Sequence, residues 1–167
     1  MLVKEMMNQE QISRTIKRMA HEIIERNTNL NDLVFVGIKN KGVPIASKLS
    51  EHLHRFADAH IPVYTLDITP YRDDHKQSEI DIPNTGMELE GKNVIIIDDV
   101  LFTGRSVRAA MDAINDYGRP AKIQLAILID RGHRELPIRA DYIGKNLPTS
   151  YDEKVIVDIN DKVYIDS

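Results

Sequence analysis

Val94-Ile95-Ile96-Ile97-Asp98-Asp99-Val100-Leu101-Phe102-Thr103-Gly104-Arg105-Ser106 joins a short apolar, β-branched run to the start of a helical period. Four consecutive apolar residues read as a strand buried on both faces. Val107, Ala110, Met111, Ile114 and Tyr117 then recur at helical spacing until Gly118 and Pro120 stop the helix. A buried strand feeding a helix belongs to a parallel sheet, and such sheets bind ligands beyond the carboxyl ends of their strands. Thr103, Gly104, Arg105 and Ser106 occupy that end. Free amides, the positive end of the helix dipole and two hydroxyls converge there, an anion site suited to a phosphate monoester. Asp98 and Asp99 stand beside it as acceptors for the vicinal hydroxyls of a sugar, so the combined ligand is a ribose 5-phosphate. An acidic pair at a strand end also serves as a helix cap or a metal site, and a Thr-Gly-x-Ser turn is weak alone. The segment is not a P-loop, since no Gly-Lys-Ser/Thr follows, nor a Rossmann turn, since Gly-x-Gly-x-x-Gly is absent.

Working outward, Leu33 to Ile38 forms a second buried strand, followed by the turn Lys39-Asn40-Lys41-Gly42. Pro44 suits a first helical turn, and Ile45, Ala46, Leu49, Leu53, Phe56 and Ala57 carry the helix onward. Val63 to Ile68 and Ile123 to Ile129 are further strands. Between Asn8 and Asn27, Ile12, Ile16, Met19, Ala20, Ile23 and Ile24 form an apolar stripe, and Asn8 with Gln11 resembles a capping box. At about 100° per residue, Arg14, Lys17, Arg18 and His21 fall opposite that stripe, with Arg26 near its border. By itself a basic helix face is an ordinary solvated face. Thr69 to Gly91 is a long polar loop, functional or disordered. Tyr142-Ile143, Val155 to Ile159 and Val163 to Ile165 read as small edge strands or hairpin arms. The fold class is therefore α/β: a central, mainly parallel sheet with helices on both faces, a long flexible loop and small C-terminal edge strands, in one domain spanning residues 1–167.

Composition bounds the chemistry. At 167 residues, with 42% hydrophobic and 29% charged, the chain has the make-up of a globular domain rather than a disordered one. The absence of cysteine excludes disulfides, thiolate zinc sites, iron–sulfur clusters and cysteine nucleophiles. A net charge of -4 gives no global attraction to nucleic acid, so a polyanion must be met by a local basic patch. No apolar run approaches the ~20 residues of a membrane span, and no signal-peptide pattern opens the chain, so a cytoplasmic protein without membrane association is expected.

Taken as one unit, residues 94–106 are similar to the phosphoribosyl-diphosphate motif of the type I phosphoribosyltransferases. Asp67-Ile68-Thr69, Tyr71-Arg72-Asp73-Asp74, Met19-Ala20-His21-Glu22 and above all Asp130-Arg131-Gly132-His133-Arg134-Glu135-Leu136-Pro137-Ile138-Arg139-Ala140-Asp141-Tyr142-Ile143-Gly144-Lys145-Asn146 narrow the likeness. Over about residues 9 to 157 the chain resembles the pyrimidine operon attenuation regulators that double as uracil phosphoribosyltransferases. The resemblance implies conversion of uracil and phosphoribosyl diphosphate to uridine monophosphate and diphosphate, with Mg2+ as cofactor and no dedicated protein metal ligand. It implies catalytic roles for Asp98, Asp99, Lys39, Lys41 and Arg72. Substrate contacts fall to Asn40, Gly42, Val100, Leu101, Phe102, Thr103, Gly104, Arg105 and Ser106, and base contacts to Ile129, Asp130 and Arg131. The loop entered at Arg72, Asp73 and Asp74 would fold over the substrate.

The same resemblance implies an RNA surface of Arg18, His21, Arg26, Arg134, Arg139 and Lys145, assembled across a homodimer or higher homo-oligomer. Its partner would be the leader mRNA of the pyrimidine operon, and uridine mono- or triphosphate would tune the binding. Two other readings stay open at this point: a uracil salvage enzyme without RNA binding, and a purine phosphoribosyltransferase.

Overall fold

The computed structural model describes residues 3–72 and 86–167. In chain order these residues form β1 (Val3–Asn8), α1 (Gln9–Arg26), β2 (Leu33–Ile38), α2 (Gly42–Ala57), β3 (Val63–Leu66), β4 (Asn93–Leu101), α3 (Arg105–Ile114), β5 (Lys122–Asp130), β6 (Tyr142–Asn146), β7 (Lys154–Asp158) and β8 (Lys162–Asp166). Five strands make a parallel sheet in the order β3-β2-β4-β5-β6, and the other three an antiparallel sheet in the order β1-β8-β7.

Alternation along the central strands distributes their side chains between two apolar layers. Leu33, Phe35, Ile95, Ile97, Ala126 and Leu128 face the layer built by α1 and α2, to which Val157, Val163 and Ile165 of the small sheet also belong. Val34, Val36, Ile96, Leu125 and Ile127 face the layer under α3. Strands apolar on both faces in this way have to be covered twice, which is why the pattern reads as a continuous run rather than an alternating one.

Topology fixes where a ligand can enter. From β2 the chain passes through α2 to β3 on one side; from β4 it passes through α3 to β5 on the other. Right-handed crossovers in opposite directions place α2 and α3 on opposite faces, so the segments after β2 and β4 diverge and leave a crevice between them. That crevice lies at the carboxyl end of β4.

The capping box at the start of α1 forms as expected: Gln11 N–H donates to Asn8 Oδ1 and Asn8 N–H to Gln11 Oε1, both at 2.8 Å. Other boundaries differ from the sequence reading. β4 continues past the apolar run to Leu101, because β5 extends alongside it and pairs Val100 with Ile129 and Leu101 with Asp130. β3 stops at Leu66 rather than Ile68, where Asp67 turns the chain by accepting from Thr69 N–H at 3.0 Å. β1 was not anticipated: only Met7 of its residues is buried, and its partner β8 lies at the far end of the chain. β7 and β8 are the arms of a hairpin, in a sheet of their own with β1. Of the long polar segment, Met87 and Leu89 are buried against the α3 layer, so its exit is packed rather than open. Asp73, Asp74 and the rest of 73–85 lie outside the described residues. Among the described residues, no helix is long and apolar enough to cross a membrane.

Candidate functional site

Two glycines shape the crevice. A Cβ on Gly42, at the start of α2, would overlap the carbonyl oxygen of Ile97 and come within 3.2 Å of the Asp98 Cα. Only a residue without a side chain lets the turn 39–42 lie against β4 at the point where the acidic pair begins. Gly104 precedes α3 with φ of +95°, a left-handed conformation that turns the chain out of the strand, and its Cα faces Ile138. Helix geometry leaves the first amides of α3 without intrahelical acceptors; Arg105 N–H is met by Thr103 Oγ1 at 3.3 Å, and the helical ladder begins at Arg108 N–H to Gly104 O, 3.0 Å.

Asp98 and Asp99 are both half-buried at the carboxyl end of β4. Asp99 N–H donates to Asp98 Oδ1 and Val100 N–H to Asp99 Oδ1, each at 2.8 Å. Burial, together with the adjacent Asp99 carboxylate and a hydrogen bond shared with it, pushes the Asp98 carboxyl well above the ordinary carboxylate range. Two acids this close resist double ionisation, and hydroxyl donors or a cation placed over them would relieve the strain.

The turn Lys39-Asn40-Lys41 is exposed, with a cis peptide between Lys39 and Asn40. Lys39 N–H donates to Leu66 O at 2.9 Å, which ties the turn to β3. Lys41 reaches away from the strand end: its Nζ donates to the Val157 carbonyl of β7 at 3.1 Å. Arg72 follows a single turn at Thr69–Tyr71 that is fastened to the turn after α3 by the Tyr71 hydroxyl, which donates to Asp116 Oδ2 at 2.6 Å.

Beyond β5 the segment 130–138 folds back over the turn 103–106. Arg131 N–H donates to Leu101 O at 3.1 Å, and Glu135 N–H and Leu136 N–H both donate to Thr103 O, at 2.9 and 3.3 Å. The Arg105 guanidinium is drawn to Glu135 at 3.0 Å. Asp130 accepts both arms of the Arg134 fork, at 2.8 and 2.6 Å, and that pairing holds its carboxyl below the usual range. Arg131 is buried; its Nε meets Thr149 Oγ1 at 3.1 Å, a terminal nitrogen meets Ser150 O at 2.9 Å, and the guanidinium lies 4.0 Å from the Phe102 ring centre. Phe102, His133 and Tyr151 contact one another ring to ring, at 5.2 to 5.8 Å. Next to this cluster opens a cleft of about 410 Å³ lined by Asp130 to Arg134 and Asn146 to Pro148.

Sequence reasoning named Ile129, Asp130 and Arg131 as base contacts; it did not name Thr149, which meets Arg131, or His133 and Tyr151, which meet Phe102. Thr149 and Tyr151 come from a Pro-Thr-Ser-Tyr stretch with no periodicity, and the only local signal is an exposed aromatic after a proline turn.

The basic residues of α1 separate into two groups. Arg18 donates to Gly144 O of the edge strand β6 at 2.5 Å and pairs with Glu22, and Arg26 donates to Asp141 O at 2.7 Å while lying over the Tyr142 ring. His21 and Lys17 instead turn toward Phe56 of α2, with the His21 ring 4.6 Å from that of Phe56. Arg139 and Lys145 are exposed, whereas the fork of Arg134 is committed to Asp130.

Comparison with known proteins agrees with this architecture. The model of the phosphoribosyl transferase domain family matches residues 3–158. The chain is 52% identical over 162 residues to the Bifunctional protein pyrR of Enterococcus faecalis, covering 95% of this chain and 91% of that one. It is 51% identical to the Bifunctional protein PyrR of Chloroflexus aurantiacus, over 98% and 92% of the two chains. It is 50% identical to the Pyrimidine operon regulatory protein of Lactococcus lactis, over 95% and 91%. Among solved structures, the fold is shared with the hypoxanthine phosphoribosyltransferase of Trypanosoma cruzi, at a TM-score of 0.75, 20% identity and coverage of 97% and 95%. A hypoxanthine phosphoribosyltransferase from Staphylococcus aureus gives a TM-score of 0.74, 24% identity and coverage of 92% and 80%. With half of its residues shared over nearly the whole length of these relatives, the chain belongs to the phosphoribosyl transferase domain family and, within it, to the PyrR proteins.

Proposed function

We propose that this protein transfers ribose 5-phosphate from phosphoribosyl diphosphate to uracil, giving uridine monophosphate and diphosphate. It also acts as a nucleotide-responsive RNA-binding regulator of the pyrimidine operon. The observation that carries this reading is the 52% identity to a Bifunctional protein pyrR across 95% of the chain.

On this reading the amides and hydroxyls of Thr103 to Ser106 hold the 5-phosphate, and Asp98 and Asp99 accept the ribose hydroxyls. Lys39, Asn40 and Gly42 border the diphosphate, Lys41 would have to leave the Val157 carbonyl to join them, and Arg72 is the last described residue before the segment 73–85. Val100, Leu101 and Phe102 carry the chain from the acidic pair to the turn 103–106; the Leu101 side chain is buried in the α3 layer, and Phe102 packs against His133 and Tyr151. Ile129, Asp130 and Arg131 are assigned to the base; the Asp130 carbonyl already accepts Leu147 N–H and the Arg131 side chain is engaged with Thr149 and Ser150, so these residues act by shaping the cleft at the end of β5. Departure of diphosphate leaves positive charge on the anomeric carbon and negative charge on the leaving group, so the residues act by positioning and electrostatics, without a covalent nucleophile. Two half-buried carboxyl groups at the carboxyl end of β4 form a hard-oxygen donor set, which fits Mg2+ held mainly through substrate oxygens and water. Bound Mg2+ supplies neutralisation of the diphosphate charge.

Arg18, His21, Arg26, Arg139 and Lys145 are the candidate RNA contacts, with Arg134 acting from inside the fold. A homodimer or larger assembly would multiply this surface, in a protein of the cytoplasm. Linkage requires that a uridine nucleotide which favours the RNA-competent form raise RNA affinity by the factor that RNA raises its own. Two measurements test the reading. Diphosphate release with uracil competing against hypoxanthine should favour uracil, and titration of pyrimidine leader RNA with and without uridine monophosphate should show tighter binding with the nucleotide. Preference for hypoxanthine would overturn the substrate; binding indifferent to nucleotide would reduce the protein to an enzyme.

A further inference from the structure

We propose that His54, Asp58 and His60 form a binding site for one divalent transition-metal ion, of the zinc class, at the C-terminal corner of α2. The three side chains are exposed, and a nitrogen of each imidazole and a carboxylate oxygen all lie within 4.8 Å of one another. An ion with bonds of 2.0 to 2.2 Å holds neighbouring ligand atoms roughly 3 to 3.5 Å apart. The groups therefore have to close by at most roughly 1.3 to 1.8 Å, within the reach of exposed side-chain torsions.

Local structure brings the three together. His54 and Asp58 stand four residues apart at the end of a helix and so share a face. Asp58 ends α2 in a left-handed conformation, φ 49° and ψ 37°, and its N–H donates to His54 O at 3.1 Å. That reversal returns His60 over the helix end, where its ring centre lies 4.3 Å from that of His54. The returning segment is held on both sides of His60. Ala59 N–H donates to Leu53 O at 3.3 Å, the Ser50 hydroxyl to Ile61 O at 3.0 Å, and Phe35 N–H to Pro62 O at 2.9 Å. Ile61 is buried beneath. The ligands are thus pre-placed by backbone contacts that the unfolded chain lacks.

Ligand chemistry selects the ion. Two imidazoles and one carboxylate favour Zn2+, Co2+, Ni2+ or Cu2+ over Mg2+ and Ca2+, and the open side leaves room for water to complete the shell. Arg55 is the adjacent cation in sequence, but successive helix residues do not face one another. The site is also separate from the crevice, since His54 lies twelve residues along α2 from Gly42, roughly 18 Å of helix. The ion would clip the end of α2 to the approach of β3 and stabilise the fold by mass action.

The test uses the full chain without an affinity tag, stripped of metal with a chelator. Co2+ is followed by its visible absorption, and thermal unfolding is recorded with Zn2+ or Mg2+ at equal concentration. The expected result is one equivalent of Co2+ bound and a melting temperature raised by Zn2+ but not by Mg2+. His54→Ala, His60→Ala and Asp58→Asn, which keeps a residue tolerant of the left-handed turn, should each weaken binding by more than about tenfold, since loss of a ligand's supporting partner alone costs that much. No Zn2+-dependent shift in the unaltered protein would overturn the proposal. So would a shift that survives His54→Ala with His60→Ala, which would place the ion elsewhere.

Discussion

Gly42 and Asp98 meet where the chain leaves the paired strands β2 and β4, a Cβ placed on the glycine falling 3.2 Å from the Asp98 Cα. The start of α2 and the acidic pair are therefore in direct backbone contact. Gly42→Ala should destabilise the protein by about 1–3 kcal/mol, the usual cost of forcing atoms into a packed site. It should also lower turnover with uracil, because the turn 39–42 has to retreat from β4. Urea unfolding midpoints and initial rates check both halves; a variant with unchanged stability and rate would show that the close contact has no consequence.

Asp98→Asn separates the stability of the acidic pair from its function. Burial and the Asp99 charge raise the Asp98 carboxyl in the folded state. A raised folded value means that its stabilising, protonated form is fully present below the unfolded value and is lost as pH rises through the folded one. At pH 8 the unaltered protein carries that penalty and the Asn variant does not. The variant should melt higher at pH 8, and the advantage should vanish as the pH approaches 4. Turnover should fall about 100-fold, the scale of a misplaced substrate. Melting curves at pH 8, 6 and 4 alongside rate measurements decide this; an Asn variant less stable at pH 8 would refute it.

Much of this arrangement is legible from residues alone, for identifiable reasons. Val94 to Ile97 is apolar at every position because α2 and α3 cover opposite faces of β4, so the sequence marks the central strand of a doubly covered sheet. Thr103-Gly104-Arg105-Ser106 is legible because a left-handed turn before a helix demands glycine. β1 was illegible, since Val3 to Asn8 is defined by β8 more than 150 residues later and buries only Met7. Likewise a helical projection groups Lys17 and His21 with Arg18, but their separation toward Phe56 and β6 depends on how α1 packs against α2 and the sheet edge. The commitment of Arg134 to Asp130 depends on the path of the chain after β5.

Arg134 and Asp130 offer a second test with the opposite pH sense. The two-pronged pair lowers the Asp130 carboxyl through the Arg134 hydrogen bonds. A lowered folded value contributes stability that is present above the unfolded value, near 3.8, and lost as pH falls through the folded one. Arg134→Ala should cost about 1.5–3 kcal/mol at pH 7, the range for hydrogen bonds to charged groups, and progressively less in acid. Arg134→Lys restores only part, because an ammonium cannot span both carboxylate oxygens. Both variants should raise the KM for uracil, since Asp130 and Arg134 line the cleft after β5. Equal losses at pH 7 and pH 3 would contradict the assignment.

Lys145 tests the RNA surface without touching the crevice. It is exposed on the edge strand β6, and successive strand residues point to opposite faces, so Lys145 is directed away from the face of Asn146, which lines the cleft. Replacing a lysine that meets a phosphate weakens binding uniformly across RNA sequences and lowers the slope of log affinity against log salt by about 1. Lys145→Ala should show that change with pyrimidine leader RNA, and Lys145→Glu a larger loss from added repulsion, while turnover with uracil stays at the unaltered value. Arg139→Ala should act in the same way, because its side chain is also exposed. Filter binding at two salt concentrations, with uridine monophosphate present, measures the slope. If both variants kept the original slope, the RNA would be held by other residues; if turnover fell in step with binding, these side chains would be supporting the fold instead of meeting phosphate.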